Sequence, residues 1–201
     1  MLKAAARNHI LSNFNGKIMT AAKTAPDIAI ALIFTILVPA FGYHYLGALY
    51  ALLFLIGYLS GFILWLIFPS KTQWRWLKVP YWLTLLVFLL LHKTEENRMK
   101  FFEVVSRQIT GGTVPPMSIG LVIGLLVLPI GVWLAAPILI RSRSALGYYS
   151  IWTLFASMGI TELAHFFLPF LTAEPYGYFP GMASVLLLAP LSWWGIYRLI
   201  K

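Results

Sequence analysis

An all-α, polytopic integral membrane protein with about six transmembrane helices and an N-terminal interfacial arm is the fold class this sequence predicts, on three observations. Hydrophobic residues make up 60% of the 201 and charged residues only 10%, with a mean hydropathy of +0.83. That is too apolar for a water-soluble domain of this size. Apolar stretches of the roughly 20 residues that cross a bilayer as helix recur along the chain. Lys and Arg fall between those stretches rather than along one stripe, so the net charge of +9 reflects membrane topology and not nucleic-acid binding. Cysteine is absent, which excludes disulfides, thiolate metal sites and a cysteine nucleophile.

The arm, residues 1–26, carries Lys3, Arg7, Lys17 and Lys23 without the apolar core of a removable signal peptide. Leu2, Ala6, Ile10, Phe14 and Ile18 recur every fourth position in it, as in a helix lying in the headgroup plane. His9 reads as a surface residue of that arm. Residues 27–201 form one transmembrane domain. The nearly uncharged run 27–70 is about twice the roughly 20 residues of one span, and Pro39 to Tyr45 divides it into spans near 27–42 and 45–68. A third span starts at Pro80 and continues as an amphipathic helix to about Gln108, stopped by Gly111 and Gly112. Spans four to six are expected at 117–140, 146–169 and 181–200.

Six spans place Lys3, Arg7, Lys17, Lys23, Lys71, Arg75, Lys78, Arg141, Arg143, Arg198 and Lys201 on one side, against Lys93, Arg98, Lys100 and Arg107 on the other. The positive-inside bias therefore predicts a multi-pass protein with both termini in the cytoplasm.

The chemistry concentrates in Leu89 to Arg98, where His92, Glu95 and Glu96 follow at helical spacings of three and four. Glu162 and His165 repeat the pair on the fifth span. Ionisable groups inside a membrane segment are costly and read as functional by default. At 1.5 Å of rise per residue, His92 lies roughly 18 Å and Glu95 and Glu96 roughly 22–24 Å above the inner end of span three; Glu162 and His165 lie roughly 24 and 28 Å up span five. His44 sits at the junction of spans one and two on the same side. Convergence of these segments at one level predicts an outer-leaflet site.

A histidine and a carboxylate at i and i+3 on two facing helices resemble the inward-facing layout of bundle metal sites, and imidazole with carboxylate suits Zn, Fe or Mn. His92, Glu95, Glu96 and His165 are the expected ligands, with Glu162 as ligand or general base. Glu95, Glu96 and Glu162 are the catalytic candidates, and His44 and Tyr178 possible additions. The same residues without metal could act as acid and base on an alkene or epoxide, as in a cyclase or isomerase. His92 and His165 could instead ligate haem or frame a pigment, or the charged layer could dock a partner in a non-enzymatic scaffold. Structural alternatives also stand: a solvated helix end paired through Lys93 and Arg98, an interfacial His165, and an aromatic-belt setting for His44 between Tyr43 and Tyr45.

His92-Lys93-Thr94-Glu95-Glu96 resembles the signature of the HXXEE family, small integral membrane proteins of microbes. A histidine in a later span fits His165, and a Tyr-x-Pro-Gly turn before the last span fits Tyr178-Phe179-Pro180-Gly181. The resemblance covers roughly 82–201. It implies a membrane enzyme whose motif residues serve catalysis or metal binding, and it does not extend to Glu162 or His44. The expected partners are the bilayer and a hydrophobic, lipid or isoprenoid-like substrate, because no sizeable soluble domain exists to bind a polar one.

Overall fold

The computed structural model describes residues 20–114, 116 and 118–201. The amphipathic pattern expected over Leu2 to Ile18 lies outside the described residues. Among the described residues, six helices are long and apolar enough to cross a membrane: α1 Ala25–Leu46, α2 Ala48–Ile67, α3 Trp74–Arg98, α5 Ile119–Arg141, α6 Ala145–Leu171 and α7 Met182–Ile200. A short helix, α4 Phe101–Val105, lies between α3 and α5 and runs on through a wide turn to Thr110. The protein is an all-α, multi-pass integral membrane protein.

Three boundaries differ from those expected. Helix α1 starts on a capping box in which Thr24 and Asp27 satisfy each other's backbone N–H, and it runs through Pro39 without breaking. The chain turns only at Gly47, whose φ of 92° suits glycine. Helix α3 begins at Trp74 rather than Pro80. Packing against α7 and α6 carries the helix through that proline. Six earlier residues of helix put His92 roughly 27 Å from the start of α3. Helix α3 also ends at Arg98 instead of continuing to Gln108, because Lys100 adopts φ 55°, ψ 47° and redirects the chain into α4.

Helix α6 is the axis of the bundle. From Ala145 to Gly159 every residue but the partly buried Leu146 is buried, and α2, α5 and α7 pack around it. A helix apolar on all sides belongs in the interior. Helix α2 approaches it through Gly57 and Gly61; a Cβ on Gly61 would stand 2.7 Å from Thr153 Cα. This is close packing of backbones through small residues. Trp65 Nε1 donates to Ala145 O at 3.1 Å and Tyr81 Oη to Trp133 O at 2.6 Å, so large polar side chains enter the core with partners. Lys23 donates to Leu66 O and Phe68 O at the end of α2, and burial lowers its pKa. Ile33, Ile67, Ile119, Ile138 and Leu186 point outward, as lipid-facing residues do.

Candidate metal centre

Two irregular helix segments build the site. In α3 the turn Val87–His92 is widened to i→i+5 bonding, a local change common at functional sites. It sets His92 with its ring stacked on Phe88 and fully buried. In α6 the regular helix stops at Gly159, Ile160 adopts φ −121°, ψ −55°, and a tight turn Thr161–Leu163 follows. That break turns Glu162 and His165 toward α3. Helix α4 then lays Phe101 over His165, with ring centroids 5.0 Å apart.

The result is a compact donor set. His92 Nε2 lies 3.4 Å from Glu96 Oε1 and 3.2 Å from Glu162 Oε2; His165 Nε2 lies 3.6 Å and 3.1 Å from the same two atoms. One atom from each of these residues falls within 4.8 Å of all the others. Metal–ligand bonds of about 2.0–2.2 Å at tetrahedral angles imply ligand separations of about 3.3–3.6 Å. The four His–Glu distances bracket that range.

The outer ring nitrogens fix the tautomers. Ser184 Oγ donates to Gly181 O at 3.0 Å, and its single hydrogen is thereby used, so at 2.9 Å from His92 Nδ1 it accepts. His165 Nδ1 faces the carbonyl of Pro180, which can only accept. Both Nδ1 atoms therefore carry hydrogen, and the Nε2 atoms facing the carboxylates are the ones left to bind a cation. His92 Nε2 has no well-formed hydrogen bond although it is buried. Two carboxylate oxygens and two imidazole nitrogens at these separations require a proton or a metal ion between them. Glu96 has a counter-charge besides, since its Oε2 accepts from Lys93 Nζ, which also lies 4.9 Å from the Phe88 ring centre.

Glu95 stands outside the donor set. Its Oε1 accepts from Gly181 N at 3.0 Å and Ala183 N at 3.1 Å, its Oε2 from Ser184 N at 2.8 Å, and Tyr178 Oη donates to Oε1. An anion on the first N–H groups of a helix is a capping interaction. The expected role of Glu95 as a metal ligand gives way to this: its oxygens are committed to the start of α7. Partial burial and the Glu95 carboxylate raise the Tyr178 pKa. Tyr178 is thus tied to Glu95, one step from the donors. His44 is exposed on the last turn of α1 against Tyr45, and it is not among the four.

Several contributors were missed from sequence. Ser184 and the Pro180 carbonyl orient the histidines, and Phe101 roofs His165; the pairing of Lys93 with this run was expected, and it falls on Glu96. Gly181 has a signal in retrospect: its φ is 99°, and the His165 ring occupies the space of the Cβ it lacks. Comparison with protein-family models, curated proteins and solved structures found no match for this chain.

Proposed function

We propose that this protein is a membrane-embedded, metal-dependent enzyme that hydrolyses a lipid or isoprenoid-like substrate at the outer-leaflet level, with its termini in the cytoplasm. One observation carries the reading: two imidazoles and two carboxylates from two spans aim four donor atoms at one point, with both histidines held in the ligand tautomer. A divalent ion there would polarise the scissile bond and acidify water. The absence of cysteine and the mixed N/O donors favour Zn, Fe or Mn. Haem fits less well, because carboxylate oxygens 3.1–3.6 Å from both Nε2 atoms occupy the plane a macrocycle would need.

Catalytic zinc sites keep three protein ligands and one exchangeable position, whereas four protein ligands close a structural site. Glu162 is the member suited to exchange. Its side chain is 15% exposed, against 0–8% for the other three, and only its Oε2 is engaged. His92, Glu96 and His165 then form the permanent set. Glu162 accepts the proton of the attacking water and returns it to the leaving oxygen. Lys93 holds Glu96 in place throughout. Leu90, Leu91, Ile160 and Phe167 are exposed apolar residues beside the site residues in sequence, which suits approach of a substrate from the lipid phase. The motif His92-x-x-Glu95-Glu96 supports membership of the HXXEE family, with Glu95 in a structural part.

The test compares the lipids of membranes carrying the wild type or Glu162→Gln, then assays the purified protein before and after chelation. Loss of a lipid class that depends on Glu162 and on a restored divalent ion is expected. Identical lipid profiles would refute the enzyme. Turnover that survives chelation would replace it with a metal-independent acid/base isomerase.

A further inference from the structure

At the opposite end of the bundle, where α3 begins and α7 ends, a cavity of about 320 Å³ is lined by Lys71, Arg75, Trp76, Arg198 and Lys201. We propose that this cavity binds a phosphoryl group, supplied by the headgroup of an anionic phospholipid in that leaflet. The proposal does not rest on the metal centre, which lies roughly 27 Å away along α3.

Charge is the first argument. Four cations surround the cavity, and among the described residues no Asp or Glu forms an ion pair with any of them. Of the six acids in the chain only Asp27 belongs to this end, and it is bound to Thr24. The guanidinium groups of Arg75 and Arg198 lie 5.1 and 5.4 Å from the ring centre of the same indole, Trp76. Two like charges on one ring repel each other, and an anion bound beside both would offset that repulsion.

An unmet donor is the second argument. Arg198 Nε is buried and makes no hydrogen bond. A buried guanidinium N–H without a partner is costly, and phosphoryl oxygens are the acceptors its forked geometry fits.

Preorganisation is the third. Thr72 Oγ1 donates to Arg198 O at 3.2 Å, and Tyr148 Oη donates to Thr72 O at 2.9 Å. The link that carries Lys71 is therefore pinned to both α7 and α6. Trp76, half exposed, marks the interface level at which headgroup phosphates sit. Basic pockets between spans at this level are typical acidic-lipid sites, and the volume is at the small end of the ~300–1,000 Å³ range of ligand pockets.

The test uses the full chain in phosphatidylcholine nanodiscs, titrated calorimetrically with short-chain phosphatidic acid and, separately, with inorganic phosphate. A cation at a membrane surface is worth about fivefold in binding, so Arg75→Gln/Arg198→Gln should weaken phosphatidate binding about 25-fold. Lys71→Gln/Lys201→Gln should do the same, and these side chains carry less of the packing should the first pair fail to fold. Lys100→Gln/Arg107→Gln, which removes equal charge at the other end, should leave binding unchanged. Tighter binding of phosphatidate than of phosphate assigns the lipid as source; equal binding assigns a soluble phosphate to the same group. No phosphatidate binding by the wild type, or equal losses in all three double variants, would overturn the proposal.

Discussion

Replacing Glu95 separates a clamp from a ligand. Its carboxylate accepts three backbone N–H groups at the start of α7 and the Tyr178 hydroxyl. The clamped segment also presents the Pro180 carbonyl to His165 and Ser184 Oγ to His92. Glu95→Ala frees the segment and loosens both imidazoles without removing a donor. Loss of an N-terminal cap costs about 0.5–2 kcal/mol of stability, and loss of outer-shell support for metal ligands about 10–100-fold in affinity. Glu95→Gln keeps one acceptor oxygen but turns a donor toward the N–H groups, so it should fall between wild type and Ala. Zinc affinity measured by competition with a chromophoric chelator, beside Glu96→Gln and His165→Ala, gives the ordering. An affinity for Glu95→Ala that is unchanged, or as fully lost as in His165→Ala, would refute the clamp.

Two further substitutions probe the packing around the site. Gly181→Ala places a Cβ into the His165 ring at a φ of 99°, and a non-glycine residue in left-handed backbone costs roughly 1–2 kcal/mol before that clash; zinc affinity should fall with the helix content intact, and a wild-type affinity would show that the ring is free to move. Gly61→Ala forces α2 off the Thr153 backbone, an overpacking expected to cost about 1–3 kcal/mol, and an undiminished thermal midpoint in detergent would contradict the close helix approach.

Span number and order were legible because hydropathy reports lipid contact directly. Helix ends were less so: Pro39 and Pro80 look like boundaries by local rules, yet neighbouring helices carry α1 and α3 through both. The site was legible through depth, since counting residues from the starts of spans three and five brings His92, Glu96, Glu162 and His165 to one level. Even the error in where α3 starts left that match intact. The choice between Glu95 and Glu96 was not legible. Both lie one turn from His92, and only the start of α7, remote in sequence, draws Glu95 away. A partner such as the Pro180 carbonyl leaves no signal in residue type at all.

The central claim is that His92, Glu96, Glu162 and His165 share one metal ion, and X-ray absorption of the zinc-loaded protein tests it most directly. The arrangement predicts one zinc per chain with N and O ligands at about 2.0–2.2 Å, two imidazoles in the outer-shell scattering, and one imidazole fewer in His165→Ala. Protein that retains no zinc, or an imidazole count indifferent to His165, would contradict it.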